Sequence, residues 1–236
     1  MNYSLIGFLQ PILFTILITY SCLQVLTLLI YPKLLFLPPN TQKTHDYQEI
    51  IFPQENGQIA LSFYENRQAK YTILVSHGNA EDLNTLHPFL YHMHKQGFQV
   101  LAYDYRGYGK SRGDMNASQS LHDVLSVYDF AVNDLNIDPN SIIAYGRSLG
   151  ASHALYLSVN RQVKGAILES AFITLHQVLT KWKILLFDPY PNIDWIKKTH
   201  TPTLLIHGEN DTLIPLNHAK ILNSQCSVCR LEIIPH

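Results

Sequence analysis

The first 32 residues contain no Asp, Glu, Lys, Arg or His. Within them, residues 5–31 are dominated by Leu, Ile, Phe, Val and Thr. This run exceeds the roughly 20 apolar residues that a helix needs to cross a hydrocarbon core. It lacks the basic start and the small-residue end of a cleaved signal peptide. We therefore predict one N-terminal transmembrane helix, and a single-pass membrane location whose side the sequence does not determine.

Cysteine is scarce: Cys22 lies in the apolar run, and Cys226 and Cys229 form a single Cys-x-x-Cys. Such a pair is compatible with half of a metal site, a redox pair or chance spacing. No second pair and no His-x-His follows it. We favour chance spacing and expect no metal ion.

Charge is sparse as well, because charged residues make up 15% of the chain and the net charge is −1. No basic patch or acidic tail is present, and the sequence therefore argues against a nucleic-acid partner. Hydrophobic residues make up 47%, enough for a packed core.

Three parts are predicted: a membrane anchor over residues 1–32, a stiff, non-helical, proline-containing connector over 33–46 that lifts the domain off the membrane, and one domain over 47–236.

The domain alternates short apolar runs with segments of helical spacing. Residues 47–52 and 58–64 flank the turn signal Glu55-Asn56-Gly57, which predicts an antiparallel pair. The continuous apolar run 71–76 is typical of a strand that is buried on both faces, and 98–103 is expected to be the next buried strand. Further strands are expected over 141–145, 163–168, 203–207 and 230–234. Helices are expected between them: 82–96, 121–135, from 151, 171–187 and 216–223. This order predicts an α/β fold with a mostly parallel sheet, an antiparallel pair at its start and helices on both faces.

The pentapeptide Gly146-Arg147-Ser148-Leu149-Gly150 lies between a predicted strand and a predicted helix. Gly-x-Ser-x-Gly also arises by chance, and a simple Ser-Leu-Gly turn is the alternative interpretation. The strand before it and the helix after it favour a nucleophile elbow, a sharp turn that exposes the hydroxyl of Ser148.

Two further segments would complete a serine nucleophile's surroundings. Ser76-His77-Gly78-Asn79-Ala80 follows the first parallel strand, and we assign the oxyanion donors to the backbone N–H groups of Asn79 and Leu149. In His207-Gly208-x-x-Asp211, the carboxylate follows a late strand, from which it can orient a histidine. Asp194 and Glu169 are weaker candidates for this carboxylate.

Other motifs receive structural interpretations. Gly109-Lys110-Ser111 matches the end of a phosphate-binding loop, but Asp104 occupies the position where that loop needs its first glycine. We predict a tight loop beside the site instead. His77 and His153 are expected to be structural residues.

Together, His77-Gly78-Asn79-Ala80, the loop 104–111, the pentapeptide 146–150 and His207-Gly208-x-x-Asp211 resemble the membrane-anchored α/β-hydrolase-domain proteins of the serine-hydrolase superfamily. The resemblance runs from about residue 47 to the end. It implies an α/β-hydrolase fold and hydrolysis of carboxylic esters or thioesters through an acyl-enzyme on Ser148, without a cofactor. The implied partners are a small acyl substrate, a lipid or an acylated protein, and the membrane through residues 5–31.

One departure concerns the catalytic base. Such proteins carry a histidine in a loop after the last strand, followed by a final helix, whereas here the sequence ends at Pro235-His236. We take His236 as the candidate base and expect a chain that is cut short. The alternative is a catalytically inactive, truncated membrane protein with the hydrolase fold.

Overall fold

The computed structural model describes residues 3–39, 49–180 and 188–235, and the side chains of residues 9–25, 35–39, 49–178 and 188–235. The helices are α1 (Tyr3–Leu35), α2 (Leu83–Lys95), α3 (Ala117–Asn133), α4 (Leu149–Asn160), α5 (Leu175–Thr180), α6 (Asn192–Ile196) and α7 (Asn217–Ser224). The strands are β1 (Glu49–Gln54), β2 (Gly57–Tyr64), β3 (Thr72–Ser76), β4 (Gln99–Tyr103), β5 (Arg112–Gly113), β6 (Ile142–Arg147), β7 (Gly165–Glu169), β8 (Thr203–Gly208) and β9 (Cys229–Ile234).

The described strands form one sheet in the order β1-β2-β4-β3-β6-β7-β8-β9, and β5 pairs with β2. Strand β2 is antiparallel to β1, β4 and β5. The strands from β4 to β9 along this path are parallel to their neighbours. The predicted mostly parallel sheet with an antiparallel pair at its start is confirmed. Because β3, β6, β7 and β8 are parallel, the loops that follow them meet at one edge of the sheet.

Helices cover both faces of this sheet. Successive residues of a strand point to opposite faces, and β3 divides accordingly. Leu74 packs in the core cluster that contains α3 and α4 residues, whereas Ile73 and Val75 pack with residues of α2. Helix α2 begins where the sequence predicts, because Asp82 and Thr85 form a reciprocal capping box.

Helix α1 differs from its prediction at its C-terminal end. It continues through Pro32 to Leu35, and Leu35 and Phe36 are 4% and 5% exposed within the domain core. The segment after Pro32 therefore packs on the domain instead of holding it at a distance. Residues 40–46 of the predicted connector lie outside the described residues.

The described apolar side chains of residues 9–25 are largely exposed, as at Leu13, Phe14 and Leu17. Contrary to the expected transmembrane helix, no helix within the described ranges combines the length and apolarity that a bilayer crossing requires.

Three further predictions need correction. Cys226 and Cys229 form a disulfide, so chance spacing is the wrong interpretation. The helix predicted over 171–187 is confined in the described part to α5, and residues 181–187 lie outside it. Strand β5 and helix α6 are not predicted, because two and five residues are too few to establish a period.

An open groove of about 530 Å³ lies against the sheet, where Ile143, Ile167 and Leu204 contribute apolar surface. Pro202 and Val228 extend it towards the amino ends of the strands. The groove is therefore distant from the carboxyl edge that carries the loops of the candidate site.

Candidate active site

The pentapeptide forms the predicted sharp turn between β6 and α4. Ser148 has φ 54° and ψ −112°, a conformation that L-residues rarely adopt. A Cβ atom on Gly146 would lie 2.0 Å from the carbonyl oxygen of Gly150, and one on Gly150 would lie 2.0 Å from that of Ser76. Both positions therefore require glycine, and the strand-turn-helix prediction is confirmed.

The turn presents the hydroxyl of Ser148 at the carboxyl edge of the sheet. Its backbone N–H donates a 2.9 Å hydrogen bond to the carbonyl of Glu169 at the end of β7. The side chain is half-buried, and its hydroxyl makes no hydrogen bond to any residue that the structure describes. Leu149 begins α4, and the first N–H groups of a helix have no intrahelical acceptor. Ser148 thus lies at the start of α4, beside the positive end of the helix dipole.

The other assigned oxyanion donor, Asn79, belongs to the loop after β3. Ser76 pairs with Gly146 in the neighbouring parallel strand, which sets this loop beside the elbow. A Cβ on Gly78 would lie 3.7 Å from the carbonyl oxygen of Arg147. Asn79 and Leu149 therefore lie on adjoining segments at the same edge.

An ion pair links this loop to the elbow. Glu81 accepts a 2.7 Å hydrogen bond from the N–H of Gly78, and the same carboxylate pairs with Arg147. A residue directly before Ser148 is thus held to the loop that carries Asn79. This pair is not found from the sequence, because Glu81 and Arg147 are far apart along the chain.

Asp211 lies in the loop after β8, at the edge that also carries Ser148. Its Oδ1 accepts hydrogen bonds from the N–H groups of Leu213 and Ile214, at 3.0 and 2.8 Å. Its Oδ2 accepts a 3.0 Å hydrogen bond from the hydroxyl of Ser170 and lies 3.7 Å from Nε2 of His207. These contacts fix the orientation of the carboxylate while leaving its side chain 20% exposed.

The two weaker carboxylate candidates are placed differently. Glu169 accepts a hydrogen bond from the hydroxyl of Tyr145. Asp194 on α6 is 63% exposed and lies 4.0 Å from the ammonium of Lys197, the residue that follows this helix. Of the three carboxylates, Asp211 lies in the loop after a later strand, where two backbone N–H groups and a serine hydroxyl donate hydrogen bonds to it.

The two histidines with structural predictions are buried and neutral near pH 7. Nδ1 of His77 donates to the carbonyl of Gly78 at 2.7 Å, and burial lowers the pKa of His77 to about 4. Nδ1 of His153 lies 3.1 Å from the carbonyl oxygen of Leu149, and its Nε2 lies 3.0 Å from the hydroxyl oxygen of Ser120. Burial lowers its pKa to about 3. His236, the candidate base, lies outside the described residues.

The charged side chains of the loop 104–111 interact with other groups of the same protein. A Cβ on Gly109, where φ is +46°, would lie 2.0 Å from Oδ2 of Asp104. Burial raises the pKa of Asp104 to about 7. Arg106 forms a buried ion pair with Asp123, and Lys110 pairs with Glu49. The loop is therefore a packed element beside the site, as the sequence predicts.

A serine elbow between a central parallel strand and a helix, with a carboxylate after a later strand at the same edge, defines an α/β-hydrolase. Residues 67–193 match the family described as serine aminopeptidase, S33, and the chain belongs to this family.

Known relatives support this assignment. The chain is 34% identical over 183 residues to human alpha/beta hydrolase domain-containing protein 17B, a match that covers 73% of this chain and 61% of that protein. The chain thus spans about three fifths of the length of the curated relatives that it matches.

Solved structures share the fold. The esterase Pf2001 of Pyrococcus furiosus superposes with a TM-score of 0.70 at 20% identity, covering 85% of this chain and 90% of that one. A soluble variant of monoglyceride lipase from Saccharomyces cerevisiae, in complex with a substrate analogue, has a TM-score of 0.63 at 13% identity, with 84% and 89% coverage.

Proposed function

We propose that this protein hydrolyses carboxylic esters or thioesters through an acyl-enzyme on Ser148. The observation that carries this proposal is the position of Ser148: a left-handed residue between two obligatory glycines, with its hydroxyl beside the start of α4. A turn of this kind exposes a nucleophile at the top of the sheet. Asp211 at the same edge supports it further.

The proposed reaction begins when Oγ of Ser148 attacks the acyl carbonyl carbon and gives its proton to a histidine. The backbone N–H groups of Asn79 and Leu149 stabilise the oxyanion of the tetrahedral intermediate. The intermediate collapses, the C–O or C–S bond breaks, and the histidine protonates the departing alcohol or thiol. Water, deprotonated by the same histidine, then releases the acid and restores Ser148. Asp211 orients the histidine throughout.

We propose His236 as this base. Strand β9 brings the chain towards the correct edge, because the carbonyl of Ile234 accepts a 2.9 Å hydrogen bond from the N–H of Glu209. Glu209 begins the loop that carries Asp211. His236→Gln should therefore abolish acylation, whereas His200→Gln, which alters an exposed histidine, should not. Acylation that survives His236→Gln would contradict this role.

We also propose lipid-like acyl groups as substrates and attachment to a lipid surface through residues 5–31. The exposed apolar side chains of α1, such as Leu13, Phe14 and Leu17, support both proposals. Flotation with phosphatidylcholine vesicles tests the attachment: the full chain should rise with the vesicles, and Leu13→Glu/Leu17→Glu should weaken this. Full flotation of that variant would argue against the attachment.

A fluorophosphonate probe tests the reaction directly. The wild-type protein should be labelled, Ser148→Ala should not, and Ser227→Ala, which alters an exposed serine, should be labelled like the wild type. Absence of labelling from folded wild-type protein would favour the alternative, a hydrolase fold without catalysis.

A further inference from the structure

The end of α1 contacts the side chain of Asn79. Nδ2 of Asn79 donates a 2.5 Å hydrogen bond to the carbonyl of Leu35, and its Oδ1 accepts a 3.2 Å hydrogen bond from the N–H of Leu37. The last carbonyl groups of a helix have no intrahelical donor. Asn79 therefore caps α1 from a loop 44 positions away in sequence.

Tyr108 completes the junction. Its hydroxyl accepts a 2.9 Å hydrogen bond from the N–H of Leu37 and lies 2.7 Å from both the backbone carbonyl and Oδ1 of Asn79. A phenol hydroxyl has one proton to donate and can also accept, so it accepts from Leu37 and directs its single proton towards the two oxygens of Asn79. The Tyr108 side chain is fully buried. Its environment therefore leaves it little freedom to move.

These contacts hold the backbone of Asn79 on two sides, through its carbonyl and through its side-chain amide. The N–H of the same residue is the proposed oxyanion donor. Packing reinforces the junction, because Leu35 and Phe36 are buried in the domain core. Oxyanion stabilisation requires donors that are fixed before charge develops. A displacement of residues 35–37 would thus move or loosen the donor.

We propose that Tyr108, the side chain of Asn79 and the end of α1 form a positioning unit that sets the oxyanion N–H. The apolar helix is thereby mechanically connected to the catalytic edge, and its attachment would influence acylation as well as location. This inference rests on the proposed function of Ser148.

Acylation kinetics test the unit, with Tyr108→Phe and Asn79→Ala as variants. Both keep the backbone N–H of residue 79 and remove its supports. Loss of an oxyanion donor costs about 10²–10³-fold in rate, so misplacement should lower the maximal rate of fluorophosphonate labelling by about tenfold. The probe concentration at half-maximal rate should not change. Tyr128→Phe is the matched control, because its hydroxyl bonds the carbonyl of Gln162, away from this junction.

Hydrogen exchange provides a readout without catalysis. In Tyr108→Phe, the amides of Leu37 and of the loop 77–81 should exchange faster than in the wild type and in Tyr128→Phe. Unchanged exchange at these amides would overturn the inference whether or not the protein is active. Normal labelling kinetics in both variants of an active wild type would do the same. Failure of the wild type to label through Ser148 would instead reject the proposed function.

Discussion

The hydroxyl of Ser170 donates a 3.0 Å hydrogen bond to Oδ2 of Asp211. This bond joins the loop after β7 to the loop after β8. Ser170 has φ 47°, and its own N–H donates to the carbonyl of Ile206 at 2.9 Å. The carboxylate is therefore oriented by the strand that lies between the elbow strand and its own.

Ser170→Ala should lower turnover several-fold with little effect on KM, because Asp211 would keep its backbone donors but lose one side-chain donor. Stability should fall by about 1 kcal/mol, the usual net value of a hydrogen bond. Asp211→Asn should cost far more, about 10⁴-fold, if it orients the base. Steady-state kinetics on a p-nitrophenyl ester measure both, and near-normal activity of Asp211→Asn would exclude Asp211 as the orienting group.

The pair of Glu81 and Arg147 predicts a graded effect on acylation. Glu81→Gln keeps an oxygen that can accept the N–H of Gly78, whereas Glu81→Ala removes it. We expect the labelling rate to fall in the order wild type, Glu81→Gln, Glu81→Ala. Unfolding free energy should change by less than about 1 kcal/mol for Arg147→Met, since its side chain is 42% exposed. Equal rates for the two Glu81 variants would show that the bond to Gly78 is unimportant.

The buried pair of Arg106 and Asp123 should dominate stability. The two side chains are 3% and 0% exposed, and the guanidinium also donates to the carbonyl of Glu55 at 2.9 Å. Arg106→Met leaves a buried carboxylate without its partner and should cost about 3–5 kcal/mol in urea unfolding. Adding Asp123→Leu should recover part of this loss.

The control for that experiment is the surface pair of Arg161 and Asp129, whose side chains are 34% and 44% exposed. Arg161→Met should cost less than about 1 kcal/mol. Similar losses of unfolding free energy in Arg106→Met and Arg161→Met would contradict a dominant role of the buried pair in stability.

His153 should make the fold sensitive to acid. Its pKa is lowered to about 3 by burial, so the unfolded chain binds a proton below its ordinary pKa of 6.5 while the folded protein does not. The contribution of His153 to the free energy of unfolding therefore has its full value above pH 6.5, and it decreases as the pH falls towards 3. Between pH 7.5 and 5 the loss is about 2 kcal/mol.

The variant His153→Phe isolates this effect, because it keeps an aromatic ring beside Tyr105 and cannot titrate. Asp104, whose raised pKa acts in the opposite direction, is common to both proteins. The stability difference between wild type and variant should shift by about 2 kcal/mol in favour of the variant between pH 7.5 and 5. A stability difference in urea unfolding that stays constant from pH 7.5 to 5 would contradict the conclusion that His153 is neutral in the folded protein.

Local patterns predict most of the fold. Continuous apolar runs identify the buried parallel strands, and the spacing of Gly146 and Gly150 between a strand and a helix identifies the elbow. Asp211 stays a predicted site residue, chosen from its position after a late strand.

What the sequence does not reveal depends on contacts between distant segments. The bonds of Ser170 to Asp211 and of Asn79 to Leu35 exist because the sheet and the core bring their loops together. Helix α1 passes Pro32 because burial of Leu35 and Phe36 favours continuation, which local propensity does not include. The disulfide of Cys226 and Cys229 is instead a local contact between residues three positions apart, and the sequence leaves it open because a Cys-x-x-Cys pair is also compatible with a metal site or chance spacing.

The left-handed conformation of Ser148 has an energetic consequence. A non-glycine residue held in a sparsely populated backbone region costs about 1–3 kcal/mol, and Ser148→Gly would relieve that cost while deleting the hydroxyl. Ser148→Gly is thus expected to raise the free energy of unfolding while it removes the proposed nucleophile, so selection for thermal stability alone would favour loss of this hydroxyl.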